Sequence, residues 1–366
     1  MPNSFLQNAT VALTGCKLNE PFDKPQKMYF QEETMKRWIL GAVAAAALVA
    51  APVQAFAETT IRVTLQLPEK HSLGQNWLAF KKIVEEKSGG DLQIQLFPSA
   101  QLFKDKEVPG AVGSGAVEAG SAFIGRFAGS VPTVDVVSIP FIFESEAHVR
   151  AAVAPGSAMR KELDASILKE TNNKILWWQA FGLNIYLGKD APIVEPSDLK
   201  GKKVRTYGKI QGWTVEALGG APTLMSGSKQ FLAYQQGAVD VGMTGASAVK
   251  SRKLYEVMDH MTLTYDTAIE FVAVMNKDFY EGLTDAQKKI IDDAAREVEQ
   301  KLRDEIFAQQ AAAVDEARSK MNVVELTDVQ RAAWVKATAG IVDRFVKETG
   351  DKGAAAVKAV KAAAAN

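Results

Sequence analysis

The sequence predicts an α/β fold of two lobes, with a ligand cleft between them and a long C-terminal helix that spans both. Residues 115–120 (GAVEAG) are nearly repeated 122 positions later by residues 237–242 (GAVDVG). Each copy follows a predicted helix, over 106–113 and 228–236, and leads into a short apolar strand. One helix-strand unit used twice indicates two similar lobes, which bind ligands outside the carboxyl ends of their strands. Chance is the alternative, because Gly-Ala-Val is common.

A secretory signal peptide is predicted over residues 35–57. It has a basic start at 35–37 (MKR), an apolar run over 38–51, and a small-x-small cleavage pattern at 55–57 (AFA). We expect cleavage after Ala57. A transmembrane anchor is the alternative, but an apolar run of 14 residues is short for a membrane span.

Residues 1–34 do not fit this pattern, because a signal peptide starts near its charged end. We therefore predict that Met35 is the true start and that residues 1–34 are a mis-assigned leader. The only cysteine, Cys16, falls in this leader. The mature chain is then expected to lack disulfides and thiolate metal sites, and to be exported to a bacterial periplasm.

The charge balance argues against nucleic acid as a partner. The chain has 43 basic and 43 acidic residues, and its first 57 residues contain five and four of them, which leaves 38 and 39 in the mature chain. Nucleic-acid-binding domains usually carry a clear basic patch or excess. The mature chain is long enough for two lobes with ordinary cores, and we expect a monomer.

The mature chain opens with a β-α-β pattern. Residues 60–67 alternate as a strand does, residues 77–87 have helical spacing, and residues 92–97 alternate again. The loop over 67–74 then lies at the carboxyl end of a strand, where ligands are met. This position makes His71 a candidate ligand contact.

The second lobe is predicted to begin near Gly182. Residues 175–178 and 181–187 are predicted as two separate strands. The predicted lobe boundaries are residues 58–182 plus about 271–310 for lobe I, and residues 183–270 plus about 311–366 for lobe II.

Two capping boxes place the C-terminal helices. Residues 284–287 (TDAQ) start a helix that extends to about Met321, which makes it ~55 Å long and longer than one lobe. A coiled-coil dimer seam is the alternative, although heptads are not sustained. Residues 327–330 (TDVQ) start the next helix, and the Ala/Lys tail after Gly353 is expected to be a weak or frayed helix.

Patterns that indicate catalysis are scarce. The three histidines, His71, His148 and His260, do not have metal-ligand spacing. The sequence contains neither a Gly-x-Ser-x-Gly nucleophile elbow nor a phosphate-binding loop. We therefore predict no metal, no cofactor and no enzymatic activity.

Arg205 is the sharpest candidate for binding chemistry. Residues 198–205 (DLKGKKVR) predict a helical turn, a glycine stop and a short apolar strand that ends at this arginine. A guanidinium group in that place can hold a carboxylate with two parallel charge-assisted hydrogen bonds. A surface arginine in a lysine-rich run is the alternative.

Five segments are similar, in order and spacing, to those of one family. They are 97–102 (FPSAQL), 115–118 (GAVE), 139–143 (IPFIF), 198–205 (DLKGKKVR) and 236–240 (QGAVD). Through them the chain resembles the extracytoplasmic solute receptors of tripartite ATP-independent periplasmic (TRAP) transporters, dicarboxylate-binding type. The resemblance covers most of the chain after the signal peptide and implies the fold of a two-lobed periplasmic binding protein.

The resemblance also implies ligand contacts. In that family the arginine of the Gly-Lys-Lys-Val-Arg segment binds the substrate carboxylate, which implies this role for Arg205. Some members have a further arginine at the place of Arg126, and many have asparagine where this chain has Thr244. Asn184 stands where several members have the arginine of a Gly-x-Arg segment, so the polar pattern of the pocket is altered. We expect all four side chains to contact the ligand.

Aromatic side chains beside these positions are expected to complete the pocket. Tyr207 follows Arg205 by two residues, and Phe127 follows Arg126 directly. Their rings would flank the carbon skeleton of the ligand.

The function implied by the resemblance is solute capture. The receptor would bind a small organic acid, which the sequence leaves open as a mono- or dicarboxylate, and deliver it to the membrane subunits of a TRAP permease driven by an ion gradient. The alternatives are a related receptor that feeds a sensor kinase, and an exported enzyme.

Overall fold

The computed structural model describes residues 58–365. The predicted leader over 1–34, with Cys16, and the predicted signal peptide over 35–57 lie outside the described residues. The strands are β1 (Thr59–Leu65), β2 (Leu92–Phe97), β3 (Ala119–Phe123), β4 (Asn173–Gly188), β5 (Lys203–Thr206), β6 (Ala221–Leu224), β7 (Val241–Gly245), β8 (His260–Leu263), β9 (Ala268–Asn276) and β10 (Asn322–Glu325).

The strands are hydrogen-bonded in the order β2-β1-β3-β9-β4-β7-β5-β6, and β8 extends from β4 to reach β10. In the first lobe β1 is parallel to β2 and β3, and in the second β5 is parallel to β6 and β7. The antiparallel strands β9 and β4 lie between these two units. Each lobe therefore presents the carboxyl ends of parallel strands, which is the edge where α/β folds bind ligands.

Strand β4 is a single strand of 16 residues, so the prediction of two separate strands was wrong. Its register against β9 shifts between Ile175 and Trp177 and again between Ala180 and Gly182, and these irregularities break the alternation that the prediction used. β4 pairs with β9 before residue 184 and with β7 from there on. One strand thus runs through both lobes, and the predicted lobe boundaries stay a prediction.

The near-repeat has the same structure in both lobes. Glu118, just before β3, accepts a hydrogen bond from the backbone N of Arg62 in β1 at 2.8 Å. Asp240, just before β7, accepts one from the backbone N of Lys203 in β5 at 2.7 Å. Each acid therefore fixes the following strand against its parallel neighbour. The near-repeat thus has the same structural role in both lobes and is not a chance similarity.

The glycine that opens each copy has the conformation expected after a helix. Gly115 has φ +75° and Gly237 has φ +65°, a region that side chains with a Cβ rarely adopt. The helices before them are shorter than predicted, because a 3-10 turn takes up their first residues.

Helices cover both faces of the sheet. They are α1 (Ser72–Lys87), α2 (Val108–Gly113), α3 (Glu146–Ala152), α4 (Ala158–Thr171), α5 (Lys209–Ala217), α6 (Gln230–Gln235), α7 (Ala246–Ser251), α8 (Lys277–Gly282), α9 (Asp285–Arg318), α10 (Asp328–Thr338) and α11 (Gly340–Ala362). Between residues 58 and 365, none of them is both long enough and apolar enough to span a membrane.

The long helix α9 confirms the predicted C-terminal helix. Thr284 and Gln287 form the capping box, and the 34 residues extend for ~51 Å. The helix packs against α1 in the first lobe and α7 in the second. Ile291, Val298 and Ile306 are buried within this one chain. Because the apolar stripe is already covered, it does not form the coiled-coil seam considered as an alternative.

The Ala/Lys tail is a packed helix, so the prediction of a weak or frayed helix was wrong. Helix α11 breaks at Gly350 and resumes, and Val357 and Val360 on the resumed part are buried. The carbonyl of Val360 accepts a hydrogen bond from Nε2 of His148 at 2.8 Å. Burial of an apolar face stabilises a helix that composition alone leaves marginal.

Candidate ligand-binding site

A cavity lies at the carboxyl ends of β1, β3, β5 and β7. Its polar lining consists of Gln66, Asp105, Arg126, Arg205, Gln230, Thr244 and Arg252, with Gly227 beside them. Its apolar lining consists of Phe123, Phe181, Tyr207, Ile269 and Phe271.

Arg205 lies in β5 with only 3 % of its surface exposed. Backbone carbonyls hold its guanidinium group: Nε and Nη2 donate to the oxygen of Met225 at 3.2 and 2.9 Å, and Nη1 donates to the oxygen of Met243. A guanidinium group has five N–H donors, so two are left. In the described chain no carboxylate forms a salt bridge with this cation.

Burial lowers the pKa of Arg205, because the low-dielectric surroundings disfavour the charged form. The guanidinium group nevertheless stays protonated at neutral pH, since its ordinary pKa is so high. Arg205 is thus a buried, oriented cation with free donors at the wall of a cavity.

Arg126 also lines the cavity, but it is paired. Its Nε donates to a carboxylate oxygen of Asp105, whose other oxygen accepts from the backbone N of Phe123 at 3.1 Å. Both side chains are nearly buried. The pair neutralises itself, so Arg126 faces the cavity with less available charge than Arg205.

Arg252, at the C-terminal end of α7, is a third cavity arginine that the sequence reasoning missed. Its Nη2 atom is shielded from solvent and has no hydrogen-bond partner among residues 58–365. Burial and the nearby charge of Arg205 lower the pKa of Arg252 to about 10. It follows Lys250 in a lysine- and arginine-rich stretch, which in the sequence is indistinguishable from a solvated surface.

Aromatic rings form the remaining walls. Phe181 and Phe271 are stacked with their centroids 5.3 Å apart, and Phe123 meets the ring of Tyr207 edge-on at 5.2 Å. The hydroxyl of Tyr207 lies 3.1 Å from Oγ1 of Thr267. Burial raises the pKa of Tyr207 well above its ordinary value, so the ring is neutral.

Four of the seven residues predicted as ligand contacts lie together in the cavity lining: Arg205, Arg126, Tyr207 and Thr244. Thr244 belongs to β7 and is buried.

The other three predicted contacts lie outside the lining. His71 caps α1, accepting a hydrogen bond from the backbone N of Leu73 at Nδ1. Asn184 is fully buried in β4 and donates to the carboxylate of Asp266 at 2.8 Å. Phe127 is packed in the core. Each of these side chains therefore has contacts within the protein rather than a place in the cavity wall.

Residues 58–365 contain no group of three or more His, Cys, Asp or Glu side chains placed to hold a metal ion. The cavity instead offers guanidinium donors, amides and aromatic walls, a set suited to binding an organic anion.

Comparison with known proteins decides the family. Residues 64–349 match the model of the bacterial extracellular solute-binding proteins, family 7. The chain belongs to this family. A solute-binding protein of Verminephrobacter eiseniae is 30 % identical to this family 7 chain over 300 residues, covering 81 % of it and 88 % of the relative. The C4-dicarboxylate-binding periplasmic protein DctP of Rhodobacter capsulatus is 27 % identical over 340 residues, covering 90 % of this chain and 99 % of the relative.

Solved structures agree with the family 7 assignment. A TRAP periplasmic solute binding protein from Sulfurospirillum deleyianum, with bound succinate, has a TM-score of 0.78 at 25 % identity, covering 84 % of this chain and 99 % of that one. A TRAP periplasmic solute binding protein from Polaromonas, bound to D-erythronate, has a TM-score of 0.77 at 26 % identity, covering 83 % of this chain and 99 % of that one. The predicted resemblance and the two-lobed α/β fold are confirmed.

The comparisons also bear on the alternatives. The family and these relatives are solute-binding proteins, not enzymes. They favour the transport receptor over a receptor that feeds a sensor kinase.

Proposed function

We propose that this protein is a periplasmic receptor that captures a small organic acid and delivers it to the membrane subunits of a TRAP permease. One observation carries the proposal: Arg205 is a buried guanidinium group with free donors, no salt-bridge partner in the described chain, and a place in the wall of a cavity. Burying a charge without a partner is costly. A ligand carboxylate supplies that partner.

The chemistry of binding follows from how Arg205 is held. Its carbonyl partners, Met225 and Met243, fix the guanidinium plane before a ligand arrives. The two remaining donors then form charge-assisted hydrogen bonds with a carboxylate. In a cavity walled by Phe181 and Phe271 such bonds support micromolar or tighter binding, about −8 kcal/mol.

Closure of the two lobes retains the ligand. Two contacts join the loop after β1 to the second lobe: His71 with Ser247 at 3.1 Å, and Gln66 with Ser226 at 3.4 Å. A ligand that touches both lobes binds the closed form better, and it shifts the population towards that form.

The relatives support the ligand class and the partner. Succinate and D-erythronate, bound in the two solved structures, are both carboxylates. The same proposal includes delivery of the acid to a permease. It also includes export of the chain with cleavage of the signal peptide after Ala57, and function as a monomer. An uptake assay with the permease reconstituted in vesicles tests the delivery step. Uptake of the acid into the vesicles should require the receptor.

A thermal-shift screen of mono- and dicarboxylates against the purified protein tests the binding step. A ligand that binds only the native state raises the melting temperature by mass action. Calorimetry then compares Arg205→Gln with Arg318→Gln, whose guanidinium group is half exposed and paired with Glu325. The first variant should lose acid binding and the second should keep it. Unchanged affinity in Arg205→Gln would refute the proposal.

A further inference from the structure

One side of the cavity is a continuous surface of rings. Phe181 and Phe271 are stacked with their ring planes 16° apart. Phe123 meets Phe271 edge-on with the centroids 6.0 Å apart, and it meets Tyr207 in the same way on its other side. All four residues line the cavity and are buried, and together they are named the aromatic wall here.

The backbone of β9 determines which of its side chains join this side of the cavity. Successive residues of a strand point to opposite faces, and Ile269 and Phe271 both line the cavity. Glu270 lies between them, and its carboxylate pairs with the guanidinium group of Arg303 in α9 at 2.6 and 2.9 Å. The charged side chain of this stretch is therefore directed away from the ligand.

The hydrogen-bond acceptors on the polar side of the cavity are already engaged by the protein. The two carboxylate oxygens of Asp105 accept one hydrogen bond each. Oε1 of Gln230 accepts a hydrogen bond from the hydroxyl of Tyr234 at 3.1 Å, and Oε1 of Gln66 accepts one from Ser226 at 3.4 Å. A hydroxyl group of a ligand, which has a proton to donate, therefore finds few free acceptors here.

Hydrogen-bond donors, by contrast, are in excess. Arg205 retains two N–H groups that are free within the described chain, and Nη2 of Arg252 has no partner among residues 58–365. Burial and the charge of Arg205 lower the pKa of Arg252, so the two guanidinium groups lie close to each other. One carboxylate has about four lone-pair sites, which is enough to accept hydrogen bonds from both arginines.

The two sides of the cavity therefore favour different parts of a ligand. A carboxylate satisfies the arginines, and the carbon skeleton is left to contact the rings. A hydroxyl group buried against rings without an acceptor is unfavourable, whereas a methyl group in the same place gains from leaving water.

We propose that the aromatic wall makes the cavity select a small acid with an apolar carbon skeleton over an acid of the same size that carries hydroxyl groups. This proposal rests on the proposed function, the capture of an organic acid at Arg205. The carboxylate lies between Arg205 and Arg252, and the carbon skeleton lies against Phe181 and Phe271.

Acids that exchange a methyl group for a hydroxyl group test the proposal in calorimetry. The pairs are isobutyrate with lactate, isovalerate with 3-hydroxybutyrate, and 2-methylbutyrate with glycerate. In the wild-type protein the methyl acid should bind at least about tenfold more tightly in the first two pairs, and about 100-fold more tightly in the third, where two groups are exchanged. Equal affinities within the pairs, or tighter binding of the hydroxy acids, would overturn the proposal.

Phe271→Gln tests the aromatic wall, because it brings an amide carbonyl to the same place. The ratio of the two affinities in each pair should fall at least about threefold, whereas Phe271→Leu, which keeps the position apolar, should retain it. Phe279→Gln is the matched control, because Phe279 is half-buried in α8 and outside the cavity lining. A ratio that Phe271→Gln leaves unchanged would count against the aromatic wall. If this variant does not fold, the wild-type pairs and the next variant decide the proposal.

Gln66→Leu tests whether the polar side of the cavity recognises a hydroxyl group. Because Oε1 of Gln66 is engaged by Ser226, the variant should change the affinities for both members of a pair by the same factor. A selective loss of the hydroxy acid would show that Gln66 recognises the hydroxyl group and would overturn the proposal. A wild-type protein that binds none of the acids refutes the proposed function as well, whereas a preference for hydroxy acids refutes the selection alone.

Discussion

Nε2 of His71 lies 3.1 Å from Oγ of Ser247, and this contact joins the two lobes. Nδ1 of the same ring accepts a hydrogen bond from the backbone N of Leu73, so Nε2 carries the proton and donates it to the serine. Burial and the charge of Arg252 lower the pKa of His71 to about 3. The ring therefore stays neutral at the pH of any ordinary bacterial habitat.

Ser247→Ala should weaken ligand binding about fivefold. The substitution removes one hydrogen bond between the lobes, which is worth about 1 kcal/mol, and it leaves the cap of α1 in place. In the proposed closure the lobes separate without ligand, so the melting temperature of the ligand-free protein should not change. Ser130→Ala, on the exposed surface, is the control. Equal affinities for the two variants in calorimetry would show that the contact does not contribute to closure.

Asn184→Ala should act on stability rather than on binding. Asp266 is buried, and its Oδ1 accepts hydrogen bonds from Asn184 at 2.8 Å and from Thr264 at 2.7 Å. Burial already raises the pKa of Asp266, and loss of a donor leaves the carboxyl group less well solvated. Denaturant titration should show a loss of about 1–3 kcal/mol. A large loss of acid affinity with unchanged stability would instead place Asn184 on the ligand.

Gly182→Ala should strain the strand that both lobes share. Gly182 has φ +116°, and a Cβ there would lie 2.7 Å from Oε1 of Gln310 in α9. That oxygen accepts a hydrogen bond from the backbone N of Leu183 at 2.6 Å, so it has little freedom to move. We expect a loss of at least about 1 kcal/mol in the free energy of unfolding.

The matched variant for this test is Gly129→Ala. Gly129 is exposed and has no close neighbour, so its substitution should change stability by less than about 0.5 kcal/mol. Similar unfolding free energies for the two alanine variants would mean that β4 tolerates a side chain at position 182.

Asp135→Asn should alter how stability depends on pH. The Asp135 side chain is buried, and its Oδ1 has no hydrogen-bond partner in the described chain. Burial raises the pKa of Asp135 to about 7. The folded protein then binds this proton more tightly than the unfolded chain, so stability falls as pH rises from about 4 to about 7.

The asparagine variant does not ionise and should escape that loss. Its melting temperature relative to wild type should be higher at pH 8 than at pH 4, corresponding to on the order of 2–4 kcal/mol. Scanning calorimetry across this range measures the difference. A difference in melting temperature between variant and wild type that does not change with pH would contradict the raised pKa of Asp135.

Local sequence patterns predicted the parts of the structure that are fixed locally. The capping boxes at Thr284 and Thr327 depend on residues three positions apart, and both form as expected. Gly115 and Gly237 terminate helices through their own backbone conformation. The turn and the strand that place Arg205 are adjacent in the sequence, but this local pattern left a surface arginine as the alternative, and its binding role was predicted from the family resemblance.

The remaining features depend on contacts between distant segments. Arg252 becomes a cavity residue because the fold brings the end of α7 beside Gly227, on another loop. Asn184 is engaged by Asp266, 82 positions away, and the tail after Gly353 is held by a surface near His148. A single sequence contains no local signal for such pairings, because the partner is set by the tertiary structure.

Strand β9 follows strands β4 to β8 in the chain, yet it lies between β3 and β4 in the sheet. The first lobe therefore stays incomplete until Asn276, the last residue of β9, is free to pair. Contacts between segments so far apart in sequence form slowly. For a chain that crosses a membrane with its N-terminus first, this strand order postpones folding until most of the polypeptide has passed, which keeps it in a form that can still be threaded.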